Sequence, residues 1–393
     1  VLVYNADFAV QDLDAQGTLT IEDSEVAVDG AFACATSFYK TTLTNTNMVV
    51  NGNQIEGGLS DFKGGDSNQL GNITITNSSL TINEGTTKVA ANVTVTGSEI
   101  NVENLTVNSG KTINLNEGST LNTTGTITNN GNVKFDGETA IIDGNQVCAP
   151  VAKVGAVAYK SLIAAVEAVE DGGTITLIAD ETFTENNRTN NNGWWDGLGY
   201  SGDKSFTIDL GGFTVSQNGA LNDYLIWLKN DGAKASTITL KNGTLDAGTS
   251  AYSALATASS NVQKITVNLE NIQLINNNSN GATLKIRGGA ELNANAGTII
   301  TGKNSYVGIE AVGSKTVVNI YEGAKIYQNG KSSSWGCLAG ASGNSTINVY
   351  GGEGTSATGG FIATTSGGTI NVEGGEWIAN TDGTIANDNN GVL

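Results

Sequence analysis

The sequence predicts an all-β chain built as a repetitive solenoid, and three observations carry that prediction. Gly fills 52 of 393 positions and Pro only one, with aromatics at 6%. Proline removes a ladder donor, so a chain nearly free of it and rich in turn-forming Gly and Asn suits paired strands and tight turns. Short alternating strands parted by polar turns recur through the whole length, about 20 residues apart in the first half, and such a period is a solenoid signature. Helical spacing is convincing at one stretch alone, 159–178. Disorder is the rival for so polar a composition, but charged residues are only 15% and β-branched residues recur throughout.

From Val1 to about Gln146 each unit is two alternating runs around a polar turn: 17–28, 43–50, 72–82, 92–102, 111–123 and 126–135. The longer step at 51–71 holds the Gly-rich NGNQIEGGLSDFKGG and reads as a loop. The TxT runs, Thr74 to Thr76 and Thr94 to Thr96, are read as not forming one rank over many repeats. Residues 1–147 form the first solenoid segment in this reading, 148–158 (with Pro150) a linker, and 159–393 a second segment.

The second segment opens with a short amphipathic helix near 159–171. Leu162, Ala165, Val166 and Val169 recur at i, i+3, i+4 and i+7, which makes one apolar stripe. Ser161 stands as N-cap and the Gly172-Gly173 pair ends the run. The period then changes to two, with Ile175 and Leu177 on one face. Placed before a run of strands, the helix is expected to cover an open sheet end. Leu210, Leu240, Leu269, Ile286, Ile320, Val349 and Val372 are read as equivalent inward positions, at steps between 17 and 34 residues. Asn77, Asn242 and Asn271 fall at corners, where Asn tolerates the left-handed conformation and can bond the Asn of the next repeat.

The helix run L162–L177 with its DGGTITL ending, IDLGGFTV (208–215) and ITLKNGTLD (238–246) together resemble bacterial cell-surface proteins with right-handed parallel β-helix domains of the pectin-lyase-like superfamily. The resemblance covers about 154–393; over 1–146 it extends only to the style of repeat. It implies a right-handed parallel β-helix, a secreted or wall-anchored location, and an adhesive or structural role more than catalysis.

Composition bounds the partners. The net charge is −19 with no His, whereas nucleic acids and phosphate-rich surfaces call for Lys and Arg. No run reaches transmembrane length, so no membrane insertion is expected in this segment. The acidic surface could hold Ca²⁺ loosely, but no spacing singles out a site, and no cofactor is assigned. Cys34, Cys148 and Cys337 are too scattered for a disulfide framework or a zinc site and read as small core residues. The chain opens inside the strand-like VLVYN and ends at NNGVL, and is expected to be a piece of something longer.

Catalytic motifs of the superfamily were sought residue by residue. Asn380-Thr381-Asp382-Gly383 matches the NTDG of polygalacturonases, but the Asp-Asp pair and the His that should follow are missing. Lys285-Ile286-Arg287 reverses that family's RIK and lies upstream. Arg188 and Arg287, the two arginines, stand in no carboxylate cluster visible in sequence, as a lyase would need. A glycosidase-like carboxylate pair, for instance Asp196 with Asp203, stays open. No catalytic residue is assigned, and the chain is expected not to be an enzyme.

The binding candidate is the insertion 186–205, where Trp194, Trp195, Asp196 and Tyr200 combine aromatic faces with polar groups suited to a sugar. Its rival reading is packing over the first repeats beside the helix. Trp335, in KSSSWGC, is a weaker version; Trp227 and Trp377 read as packed or scattered surface residues. The expected function is an extracellular structural or adhesive stalk of a bacterial surface protein, with a glycan or another surface protein as partner. The alternatives are a carbohydrate-active enzyme on the same fold and a self-associating subunit of an extracellular filament.

Overall fold

The computed structural model describes residues 2–10, 13–14, 17–33, 40–52, 68–191, 193–219, 221–303, 307–329, 337–357, 359–363, 367–379 and 386–387. The chain is almost entirely β, its sheets are predominantly parallel, and one helix is present among the described residues. It divides into two compact units, Val1–Pro150 and Val151–Leu393.

In the first unit the chain visits two sheets alternately, so the parallel strands pair with those of the next pass instead of their sequence neighbours. Ile73 pairs with Val93, Val93 with Ile113 and Ile113 with Val133, twenty residues apart each time. Alternation dictates what faces inward. Ile21, Leu43, Ile75, Val95 and Leu115 form one column of completely buried side chains. The facing sheet supplies another, Val26, Met48, Leu80, Ile100 and Leu121. Outward, Thr42/Thr44, Thr74/Thr76 and Thr94/Thr96 stand in register on consecutive passes. The TxT runs stand in register over these three passes, with Glu22 opposite Thr44 before them and Asn114 opposite Thr94 after them, so they form no rank over many repeats.

The corner between the two sheets repeats a local device. Asp23, Asn45 and Asn77 have φ of 49°, 48° and 47°, and Gly97 follows at 57°. Asx side chains and Gly are the residues that accept this left-handed geometry. After each comes Ser or Thr, whose hydroxyl reaches the neighbouring pass. The Thr46 N–H donates to Ser78 Oγ at 3.0 Å and the Ser78 N–H to Ser98 Oγ at 2.9 Å. These hydroxyls satisfy buried backbone donors that a bare corner would orphan. At the end of the unit, Glu138–Thr139 and Gln146–Cys148 pair antiparallel onto the last parallel strands, and Ile141–Asp143 pairs with Gln146–Cys148.

The second unit begins with an antiparallel pair, Ala152–Val154 and Val157–Tyr159, laid against Gly173–Leu177. These strands cover residues 152–154 and 157–158 of the stretch read as a linker. The helix follows as Leu162–Ala168, with Leu162, Ala165 and Val166 buried, and Val169 buried just beyond it. Ser161 is its N-cap, accepting from the Ala164 N–H at 3.2 Å. Buried Glu181 adds an acceptor for the Leu162 N–H at 2.8 Å. Burial pushes its carboxyl above the ordinary value, against hydrogen bonds from Leu162 and Asn187 that lower it.

Beyond the helix the strands stack in parallel with longer and less regular passes. The inward column of the larger sheet is Ile208, Leu240, Leu269, Ala294, Ile320 and Val349, with exposed Val372 in register after them. Two of the expected positions are corrected. Ile208, not Leu210, pairs with Leu240; and Ala294, not Ile286, stands between Leu269 and Ile320. Ile286 belongs to the second large sheet, whose strands include Tyr224–Lys229, Ser253–Thr257, Ala282–Arg287, Val307–Val312 and Cys337–Ser342. The strand-plus-glycine form of LKIRGG imitates the corner of the first column, while the true column residue, in ELNA, is only a small alanine.

Of the expected Asn contacts, the one between Asn242 and Asn271 is present, whereas Asn77 is followed at the next corner by Gly97. Asn242 and Asn271 have φ of 59° and 47°, and Asn271 Nδ2 donates to Asn242 Oδ1 at 3.1 Å. A longer amide ladder runs along the outer face of the larger sheet. Asn371 donates to Asn348, Asn348 to Asn319, Asn319 to Asn293 and Asn293 to Asn268, at 2.8, 2.9, 2.9 and 2.9 Å. Cys337 is fully buried and burial pushes its thiol up to about 12, so it behaves as a small apolar residue; Cys148 is half-buried. Cys34 lies outside the described residues.

Candidate functional site

The insertion 186–205 folds as an antiparallel pair, Thr189–Asn191 with Trp194–Asp196. Trp195 is half-buried, and the Arg188 guanidinium lies over its ring at 4.0 Å from the centroid. A cation on a ring face is a stabilising contact, and it occupies one face that a sugar would use. Asp196 is completely buried, with Oδ1 accepting from the Tyr224 N–H at 3.1 Å. Tyr200 is buried edge-on to Phe206 at 5.0 Å, and its hydroxyl accepts from the Lys204 N–H at 2.9 Å. Burial raises its phenol above the usual value. Asp203 Oδ2 instead accepts from the Ala233 N–H at 2.9 Å, so it and Asp196 hold different stretches of backbone. Of the expected platform, Asp196 and Tyr200 are thus framework groups. Trp335 and the 380–383 tetrapeptide lie outside the described residues.

A different part of the unit has the build of a site. The second large sheet carries a groove of about 590 Å³, with Asp223, Tyr224, Trp227, Tyr252, Lys285 and Arg287 in its wall. Parallel pairing brings them together: Tyr224 stands opposite Ser253, Trp227 opposite Ala256, and Ala256 opposite Lys285. The chain therefore gathers residues more than 60 positions apart onto three adjacent strands.

Arg287 is the best-anchored group there. Its Nε donates to the Thr257 carbonyl at 3.0 Å, and a terminal nitrogen donates to the Tyr224 hydroxyl at 2.9 Å. The guanidinium also lies 5.4 Å from the Tyr224 ring centroid. Asp223 precedes Tyr224 in the chain and lines the same groove. Burial pushes the Tyr224 phenol up to about 12, so it stays protonated while accepting from Arg287. Burial likewise raises Asp223, opposed mainly by the positive charge of Arg287. Lys285 pairs with Glu310 at 2.9 Å.

Ser253 lines the same groove. It is fully buried, and its Oγ has no hydrogen-bond partner among the described residues. A buried hydroxyl left unmatched costs free energy and marks a place where a ligand oxygen would be welcomed. Half-buried Trp227 supplies a ring and exposed Tyr252 a second. Tyr252 is 41% exposed, ample for contact with a bound molecule.

The insertion and the groove are linked, since Asp196 fixes the backbone of Tyr224 at the start of its strand. The WWD segment was therefore a pointer to the site's support. The one sequence signal for the groove itself was the scarcity of arginine, with Arg287 one of two. A second cleft of about 400 Å³ beside the helix involves Ile163, Glu167, Tyr200, Asp203 and Lys204.

Among the described residues no three His, Cys, Asp or Glu side chains converge as a metal site would need. Nor is any helix among them long and apolar enough to cross a membrane, which leaves strand-based crossing untouched. No protein-family model matches the chain, and neither a curated protein nor a solved structure matches it.

Proposed function

We propose that each unit is a right-handed parallel β-helix, and that the chain is a structural and adhesive element displayed outside a bacterial cell, holding a glycan in the groove of its second unit. The observation that supports this most is that groove: aromatic faces, an unmatched buried hydroxyl and an anchored arginine on one rigid parallel sheet. Sheet ladders that keep register from pass to pass suit a stiff element, because each pass needs only its neighbours. The extracellular bacterial location rests on the resemblance carried by 162–177, 208–215 and 238–246.

A glycan array with the native chain, Trp227→Ala and Trp195→Ala tests the reading. Binding to a defined glycan is expected, abolished by Trp227→Ala and retained by Trp195→Ala, whose ring already contacts Arg188. No binding by the native chain would remove the adhesive role. A second reading, a carbohydrate-active enzyme, is favoured by the placement of Arg287 beside Asp223. Sugar ends released from a panel of polysaccharides would establish that reading in place of the first. Electron microscopy addresses the filament alternative: discrete particles are expected, and open-ended fibres would support self-assembly.

A further inference from the structure

We propose that the groove selects a sugar bearing a carboxylate, with Arg287 as the group that recognises the acid. This rests on the reading of the groove as a glycan site and names the class of glycan.

The argument begins with charge. In a chain with 38 acidic and 19 basic residues, the groove is lined by Lys229, Lys285 and Arg287 against the single carboxylate of Asp223. Two of these cations have other duties: Lys285 pairs with Glu310 at 2.9 Å, and Lys229 lies 3.7 Å from Asp231. Arg287 has no ion pair among the described residues. Its bonds to the Thr257 carbonyl and the Tyr224 hydroxyl, at 3.0 and 2.9 Å, go to uncharged acceptors. Those bonds fix the guanidinium plane and use two of its five N–H donors. The remaining edge keeps the planar fork that matches a carboxylate with two parallel bonds.

Asp223 decides between anions. A phosphate monoester carries close to two negative charges near neutrality and would meet the Asp223 carboxylate in the same groove. A carboxylate carries one charge and leaves Asp223 free to accept sugar hydroxyls. Trp227 and Tyr252 offer apolar faces for the pyranose ring, and Ser253 Oγ supplies the missing partner for a ring or hydroxyl oxygen. An acid alone would leave the aromatic wall unused, and a neutral sugar would leave Arg287 unmatched.

The test is calorimetric titration of the full chain with sodium glucuronate, sodium N-acetylneuraminate, methyl glucoside and inorganic phosphate. At least one acidic sugar is expected to bind, with methyl glucoside and phosphate about tenfold or more weaker. Which acid binds tells a hexuronate from a nonulosonate source. Arg287→Lys, which keeps the charge and loses the fork, is expected to weaken the acid by about tenfold and leave methyl glucoside unchanged. Ser253→Ala is the second variant, since it disturbs no bond of the framework; it should weaken the acidic sugar several-fold with an unaltered thermal melt. Equal binding of methyl glucoside, or indifference to Arg287→Lys, would overturn carboxylate selection while leaving a glycan site. Tighter phosphate binding would overturn it in favour of a phosphate site. No heat with any sugar would sink the glycan reading and this one together.

Discussion

The two units use the same inward ladders and differ in what surrounds them. In the first, several successive passes are twenty residues long, and corners are closed by an Asx or Gly residue followed by a hydroxyl. In the second, Ile238, Val267, Leu292, Val318 and Ile347 follow one another at 29, 25, 26 and 29 residues. Both units have two long sheets, and the groove lies on the smaller of the two in the second unit. Stacking is thus set by the ladder and tolerates varied passes.

If the ladder alone governs stability, its removal should cost the same in both units. Ile75→Ala and Leu240→Ala each delete a fully buried column residue and should cost about 2–5 kcal/mol in chemical unfolding. A much smaller loss at Leu240 would mean that the longer passes of the second unit carry stability of their own. The corner hydroxyls come next. Ser78→Ala leaves the buried Thr46 N–H without its acceptor, at about 1–3 kcal/mol. Ser345→Ala in the second unit, where Ser345 Oγ accepts from the Ser342 N–H and donates to the Ala311 carbonyl, should cost a comparable amount. A neutral result at Ser78 alone would show that water reaches the corners of the first unit.

Smaller again is Asn319→Ala, which breaks one amide bond on each side and should cost about 1–2 kcal/mol. Substituting Asn371, at the end of the ladder, should cost about half as much because it has one such bond.

The smallest effect is one of pH and belongs to the second unit. Glu181 has its carboxyl raised by burial, so its folded value lies above its unfolded one. Its contribution is complete below the unfolded value and is lost as pH rises through the folded value. Glu181→Gln should flatten the melting temperature of the second unit across that acidic window. An unchanged pH profile would mean that the carboxyl is not desolvated as its surroundings indicate.

What was legible in the sequence was local. Ser161 as N-cap, the stripe of Leu162, Ala165, Val166 and Val169, and the left-handed Asn77, Asn242 and Asn271 each depend on a few neighbouring residues. The all-β class with parallel sheets followed from repetition. Register was harder: Ile286 was placed in the wrong column because a strand followed by two glycines looks alike in either sheet. The groove was invisible for a related reason. Asp223, Ser253 and Arg287 are brought together by pairing steps of about thirty residues, and nothing local to any of them announces the others. Trp227, which reads as a packed or scattered surface residue, lines the groove, while Asp196 and Tyr200 hold the framework.

The pass-to-pass pairing also has a kinetic meaning. Across a conventional parallel sheet, partners drift farther apart in sequence as a domain grows, and closing the longer loops slows folding. Here the partners of the parallel strands lie one pass away, between 18 residues at Leu2 with Thr20 and 36 at Ala33 with Gln69. The closure entropy of a step changes only with the logarithm of its length, so that range alters the cost by roughly 0.6 kcal/mol. Lengthening the chain by another pass therefore repeats a search of the same size, and the time to fold should grow with the number of passes and not with the span between its ends.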